Sequence, residues 1–417
     1  MRPRTVIAVV GFVAILGGLV VFGLTVWSSG GTLDETWVSD TPRDTDINHH
    51  AVGVGPDGDV IVAPVAEARG STDQITNTSC VFARLRPTDG AVLWRNGIPP
   101  DDCFVHALTE PAIADLDGDG TPEVVGISSI ENALVTYDAE DGSERWRVPL
   151  ETYGFGRPTI ENLTSAPGPE ILASDVAGNV VATRANGSVL WRFELNRTGW
   201  TERTIREAPI VDDVDGDSQQ EVLLGSDSGP VVLSATGDIE WFRNGTATYL
   251  TAADADGDDA LEVFTAGTLS ITSYDGESGA GEWNRSITNG RIREAADADG
   301  DGTVELFVGK VGGDVLALDA ATGDTEWSTS IASGDSTIVS PPVLGDVDGD
   351  DTSEVIAVSE DGRVAVLDAD GGSVLARYER NVPILTFATT ADIDDDGREE
   401  ILVRYGDGRV VALDYAS

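Results

Sequence analysis

Six nine-residue segments carry carboxylates at one fixed spacing: DLDGDGTPE from Asp115, DVDGDSQQE from Asp213, DADGDDALE from Asp254, DADGDGTVE from Asp297, DVDGDDTSE from Asp346 and DIDDDGREE from Asp392. Positions one, three, five and nine are acidic in every copy. The candidate metal ligands are therefore Asp115, Asp117, Asp119 and Glu123; Asp213, Asp215, Asp217 and Glu221; Asp254, Asp256, Asp258 and Glu262; Asp297, Asp299, Asp301 and Glu305; Asp346, Asp348, Asp350 and Glu354; and Asp392, Asp394, Asp396 and Glu400. Alternate residues of a tight turn point their side chains to one side. Three Asp, one Glu, the position-seven carbonyl and water would together offer about six or seven hard oxygens, which suits Ca²⁺. Mg²⁺ demands stricter octahedral geometry and ranks second, and the lack of His and Cys ligands disfavours zinc. An EF-hand needs a bidentate Glu at position twelve, and that position after Asp115 is Gly126. The competing reading is a set of solvated acidic turns, which does not require one spacing to recur six times.

Other reactive residues are sparse. Cys80 and Cys103 can close a disulfide in an oxidising compartment, two free buried thiols being the alternative. The three histidines, His49, His50 and His106, precede inner strands of their units, which places them near the mouth of a central channel; Arg157, Arg206, Arg291 and Arg293 occupy comparable positions. A cationic rim there could attract an anion, but pairing with the nearby Glu207 and Glu294 is the preferred reading of these arginines. No Ser/His/Asp arrangement or isolated carboxylate pair stands out, so no catalytic residue is assigned.

The elements that must hold these residues repeat with a period of roughly 46 residues. Each acidic loop leads into a short apolar strand (EVVGIS, EVLLGS, EVFTAG, ELFVGK, EVIAVS, EILVRY), and then into a strand, a glycine turn and a strand ending near Trp, most clearly ALDAATGDTEW from Ala317 to Trp327. Valine-rich runs of this length bounded by Gly, Asp and Asn read as strands. Pro111, Pro158, Pro209 and Pro342 recur four residues before the loop position, and two degenerate units (VIVAPV from Val60, EILASD from Glu170) complete the series. The last unit lacks a fourth strand, whereas LDETWVS around Trp37 is an unmatched one. The expected fold is all-β, an eight-bladed β-propeller (seven is the alternative) closed by the N-terminal strand, since closure removes free edges.

The spacing D-x-D-x-D-G-x-x-[DE] between strands resembles the calcium loops of FG-GAP/VCBS-type repeats, as in integrin α-subunit propellers. That resemblance implies a loop joining the first two strands of a blade. The match departs at Asp395, which replaces the first glycine, and at Asp213, Asp254 and Asp346, whose loops lack Gly at position six; weaker binding is expected there. The Trp strands resemble the tryptophan-docking repeats of pyrroloquinoline quinone (PQQ)-type propellers, with Ala317, Asp319, Thr322, Gly323 and Trp327 matching in full. The resemblance implies that Trp37, Trp94, Trp146, Trp191, Trp241, Trp283 and Trp327 dock against neighbouring blades, while Ala376 stands where the seventh unit would have Trp. Quinoprotein dehydrogenases of that type use adjacent cysteines, which Cys80 and Cys103 are not. PQQ is accordingly not expected as a cofactor, and structural Ca²⁺ is.

The chain carries 26 Lys+Arg against 73 Asp+Glu, a net charge of −47, which argues against a nucleic-acid partner. At 41% hydrophobic residues with nine Trp it has material for a core, so disorder is not the reading. One lysine, Lys310, and a uniformly acidic composition resemble a salt-adapted, haloarchaeal-type protein. Residues 6–27 form an uncharged run of about 33 Å as a helix, enough to span a bilayer. With Arg2 and Arg4 before it, residues 1–5 are expected in the cytoplasm, 6–27 as a single-pass signal anchor, 28–34 as linker and 35–417 as an extracellular propeller; a cleaved signal peptide is the alternative. Sequons at Asn77, Asn162, Asn186, Asn196, Asn244 and Asn284 are candidate glycan sites. The function expected is a membrane-anchored, calcium-binding, non-catalytic scaffold for a protein or cell-surface glycan. The alternatives are an extracytoplasmic quinoprotein oxidoreductase and a polysaccharide-processing enzyme.

Overall fold

The structure is a computed structural model, and it describes residues 30–43, 48–66, 80–98, 103, 106–199 and 203–416. The segment expected to cross the membrane lies outside these residues, as does Asn77; among the described residues no helix is long and apolar enough to span a bilayer. The strands form eight antiparallel four-stranded sheets, each a consecutive A–B–C–D meander except the last. Blade 1 runs from Gly53–Val54 to Val92–Ile98, and blade 2 from Ala112–Ala114 to Glu144–Pro149. The inner strands of blades 3 to 8 are Thr159–Glu161, Ile210–Asp212, Tyr249–Ala253, Arg291–Ala296, Val343–Gly345 and Thr389–Ala391. Inner strands of neighbouring blades approach one another around the axis.

Blade 8 takes its fourth strand from the N-terminus. Thr32–Val38 pairs antiparallel with Val410–Ala416, setting Thr32 opposite Ala416 and Trp37 opposite Ala412. Eight blades and N-terminal closure both follow, and the closing strand begins within the segment read as linker. The B and C strands are buried on both faces: Glu123–Ser128 and Ala133–Asp138 are buried almost throughout. This explains their continuous apolar runs in place of alternation.

Seven tryptophans join the blades. Each indole N–H donates to a backbone carbonyl in the C–D turn of the next blade, at 2.5–3.0 Å: Trp37 to Pro87, Trp94 to Ala139, Trp146 to Ala185, Trp191 to Ala235, Trp241 to Gly276, Trp283 to Ala320 and Trp327 to Ala369. Trp37 thereby ties the last blade to the first. The turn glycine lies under each indole; at Gly323 φ is +72° and a Cβ would sit 2.7 Å from Trp283. That contact and that backbone conformation together require the glycine. Ala376 breaks the series for a topological reason. Its neighbour, blade 8, has no C–D turn because its third and fourth strands, Val410–Ala416 and Thr32–Val38, are not consecutive in the chain, so no turn carbonyl awaits an indole. The gap is bridged instead by the Tyr378 hydroxyl, which donates to Glu35 on the N-terminal strand at 2.8 Å.

Cys80 and Cys103 are joined in a disulfide with Cα atoms 5.2 Å apart, fixing the C strand of blade 1 to the connection into blade 2. The sequon asparagines Asn162, Asn186, Asn196, Asn244 and Asn284 are all exposed.

Candidate metal centres and channel mouth

Each acidic loop joins strand A to strand B of its blade, as in the turn from Ala112–Ala114 to Glu123–Ser128. The apolar residue at position two anchors the loop in the core; Leu116, Val214, Ala298, Val347 and Ile393 are all buried. The ninth residue is a buried Glu at the start of strand B, at most 5% exposed in all six copies. Its Oε2 accepts the backbone N–H of position two at 2.7–3.3 Å, in Glu123, Glu221, Glu262, Glu305, Glu354 and Glu400 alike. The first Asp accepts loop backbone N–H groups, as Asp346 does from Gly349, Asp350 and Asp351 at 2.7–3.1 Å.

The carboxylates that converge are those of positions one, three and nine. Oxygens of Asp115, Asp117 and Glu123 lie within 4.8 Å of one another, and so do those of Asp254, Asp256 and Glu262, of Asp297, Asp299 and Glu305, and of Asp346, Asp348 and Glu354. In the Asp213 loop the converging set is Asp213, Asp215 and Asp217. Position five mostly closes the turn instead. Asp119, Asp217, Asp258, Asp301, Asp350 and Asp396 each accept the N–H of position seven at 2.7–3.1 Å. The four places where the glycine pattern fails keep the loop shape. Ser218, Asp259, Asp351 and Asp395 adopt the left-handed conformation themselves, with φ from +64° to +76°. The departure therefore costs backbone strain; the Asp254 and Asp346 loops keep the same converging set as the glycine-bearing loops, and the Asp213 loop does not.

These hard oxygens fit Ca²⁺. Burial pushes the carboxyls of Glu221, Glu262, Glu305, Glu354 and Glu400 up to about 7, and the loop aspartates push the same way, against the pull of the position-two N–H. A bound divalent cation is the local charge that would reverse the sign of this environment.

One position missed in the sequence grades the six loops. The residue immediately before the docking Trp lies on strand D and faces the loop of its own blade. In blade 2 it is Arg145, whose guanidinium contacts Glu123 at 2.7 Å, Asp138 at 2.8 Å and Asp117 at 3.1 Å. An internal cation thus stands among the carboxylates of that loop. In blades 4, 5 and 6 the equivalent residues are Glu240, Glu282 and Glu326. Burial, reinforced by Asp215 and Asp217, raises the Glu240 carboxyl; burial reinforced by Asp319, Asp301 and Asp299 raises that of Glu326. The signal was legible as the amino acid preceding each Trp. In the degenerate third unit, Glu170 is satisfied by Thr164, whose N–H and hydroxyl donate to it at 2.9 and 2.7 Å.

At the opposite end of the inner strands, residues four to seven positions before the loop register converge on the channel mouth. Phe155, Arg206, Glu207, Tyr249, Arg291 and Phe387 line one cavity with His49; His50, Glu110, Arg157 and Arg293 line its continuation. The histidines meet there as expected: the His49 and His106 rings stack at 5.4 Å, and His50 packs edge-on to Phe155 at 4.8 Å. Burial, then the neighbouring His106 and Arg404, hold His50 well below its usual range. The arginine pairing differs from expectation. Arg206 binds Asp227 at 2.7 Å, while Arg157 and Arg293 approach Glu110 only at 3.6 and 3.9 Å. Glu294 accepts the N–H of Leu344, at 2.7 Å.

The fold and the docked tryptophans define a closed eight-bladed propeller built from PQQ-type repeats. The chain belongs to the family described as outer membrane protein assembly factor BamB, which matches residues 78–164, 176–350 and 300–417. No curated protein sequence matches it significantly. Among solved structures it is similar to BamB from Moraxella catarrhalis, with TM-score 0.61 and 16% identity over 92% of this chain and 100% of that one. It is also similar to quinohemoprotein alcohol dehydrogenase from Comamonas testosteroni, with TM-score 0.60 and 14% identity over 91% of this chain and 76% of that one. BBS1N, solved in complex with ARL6DN, aligns with TM-score 0.53 and 14% identity over 73% and 90% of the two chains. At these identities the likenesses speak to the fold alone.

Proposed function

We propose that this chain is a membrane-anchored extracellular propeller that binds structural Ca²⁺ and serves as a non-catalytic scaffold for a protein or cell-surface glycan. The observation that carries the calcium reading is the recurrence of a converging three-carboxylate set at the same A–B turn of several blades, with a buried Glu at the ninth position. The loops of blades 4, 5, 6 and 7 have no arginine among their carboxylates and are the principal sites; Arg145 takes the cation's place in blade 2, and Arg398 binds Asp396 in the blade 8 loop at 2.5 Å. Metal at A–B turns acts by linkage, since it binds the folded loop and not the unfolded chain. The scaffold reading is supported by the assembly-factor family and by the BBS1N–ARL6DN complex of a similar propeller. The buried disulfide and exposed sequons fit an extracellular setting. The acidic, lysine-poor surface fits a salt-rich one.

A quinoprotein oxidoreductase is the second reading, favoured by the arginine- and aromatic-lined channel mouth. Reconstitution with PQQ and a dye-coupled oxidation assay separates the two. The scaffold reading expects no turnover, and sustained turnover would sink it. For the interaction itself, the purified chain is used to capture partners from native envelope with and without Ca²⁺; capture that requires the intact ring supports the scaffold.

A further inference from the structure

The channel mouth is lined by His49, on which His106 stacks, by His50 and by four arginines, although acidic residues outnumber basic ones almost threefold over the whole sequence. Arg291 is half-buried and forms no ion pair among the described residues; it lies over the Tyr249 ring, 5.6 Å from its centroid, within reach of the hydroxyl. Arg293 lies over the Phe387 ring at 3.8 Å and reaches Glu110 only at 3.9 Å. A guanidinium near an aromatic ring has five N–H donors, more than one such contact uses. His50, 5% exposed, contributes an Nε2 with no hydrogen-bond partner among the described residues, at the edge of the same space. A half-buried arginine with Glu207 nearby but no ion pair among the described residues keeps donors available for an external anion.

The lining also sets the kind of anion. Phe155, Tyr249, Leu385 and Phe387 supply apolar walls. Glu207 and Glu110 also line this space, and a phosphate or sulfate dianion beside them would meet twice the repulsion that a single negative charge meets. The cavity is about 220 Å³, below the range of about 300–1,000 Å³ usual for drug-sized ligands. We propose that the channel mouth binds a small organic monocarboxylate, with its carboxylate on Arg291 and Arg293 and its apolar body against Phe155 and Phe387. The site is independent of the calcium loops, which lie at the other end of the inner strands, and it stands whether or not those loops hold metal.

The test is isothermal titration of the purified full chain in detergent at constant high salt with benzoate, acetate and inorganic phosphate. Benzoate is expected to bind one per chain, acetate at least tenfold more weakly for want of an apolar body, and phosphate more weakly than benzoate. Arg291→Gln is expected to weaken benzoate at least tenfold, the scale of one charge-assisted pair. Arg291→Lys, which keeps the charge and loses the fork, should fall between. Near-UV circular dichroism of each variant, matched to the parent, shows that the ring is intact. Absence of saturable benzoate binding, phosphate binding as tight as benzoate, or a folded Arg291→Gln protein with undiminished affinity would each overturn the proposal.

Discussion

The interlock between Trp283 and Gly323 can be tested by a double-mutant cycle. Trp283 is 9% exposed, donates to Ala320 at 2.9 Å and covers Gly323 of the next blade. Trp283→Ala should cost about 3–5 kcal/mol through lost burial and the cavity left behind. Gly323→Ala carries two penalties. The backbone stands at φ +72°, which costs an L-residue about 1 kcal/mol, and the new methyl lies 2.7 Å from the indole, an overpacking cost of about 1–3 kcal/mol. The second penalty disappears once the indole is removed. The double mutant should therefore be more stable than the sum of the single effects, by about 1–3 kcal/mol. A domain of this length has an unfolding entropy of about 0.8 kcal/mol/K, so Trp283→Ala alone should lower Tm by about 4–6 °C. Calorimetry of the four proteins at fixed salt and Ca²⁺ measures the cycle. Additivity to within about 0.5 kcal/mol would show that the indole and the turn glycine are not in the contact described.

Three further outcomes follow from individual residues. Asp351→Gly removes left-handed strain at φ +70° without touching a ligand, and should raise stability by about 0.5–1 kcal/mol in a thermal melt. Arg145→Gln vacates the blade 2 loop, and should lower Tm in chelator while adding one equivalent of bound Ca²⁺ by atomic emission of the dialysed protein; an unchanged stoichiometry would remove Arg145 from the role of internal cation. Burial pushes the Glu207 carboxyl up to about 7; Glu110 pushes the same way, and Arg293, Arg291 and Arg206 oppose, with His49 and His50 facing the same space. A folded pKa above the unfolded one means that stability is full below about 4.5 and is lost as pH rises through about 7. Glu207→Gln should therefore gain Tm over the parent at pH 8 and show no gain at pH 5.

The repeat made most of the fold legible. The loop spacing, the apolar B strands and the Trp register defined the blade, and the unmatched strand at Trp37 implied the closure, because these features are local and recur. Ala376 could be seen but not explained from sequence, since its reason is that blade 8 lacks a C–D turn. In the loops, the spacing identified the acidic positions but not their division of labour: position five caps the turn, and Glu at position nine braces position two with one oxygen. Arg145 stood in view before Trp146, but its role did not, because its contact with Asp117 and Glu123 crosses from strand D to the loop. The arginines of the channel mouth were paired with the wrong carboxylates: Arg293 and Glu294 are neighbours on an inner strand and point to opposite faces, and Arg206, in the segment before its strand, turns to Asp227.

Calcium binding by the blade loops is tested most directly by the metal stoichiometry and Ca²⁺-dependent Tm of the purified chain at constant high salt, compared with Asp297→Ala. The predicted result is about four or more bound Ca²⁺ per chain, one for each loop of blades 4 to 7 that lacks an internal arginine. Tm should fall on chelation and return with Ca²⁺ but not with added Na⁺, and the variant should hold one ion fewer. A Tm indifferent to chelation, with no stoichiometric Ca²⁺ in either protein, would contradict calcium binding and leave the six loops as solvated acidic turns.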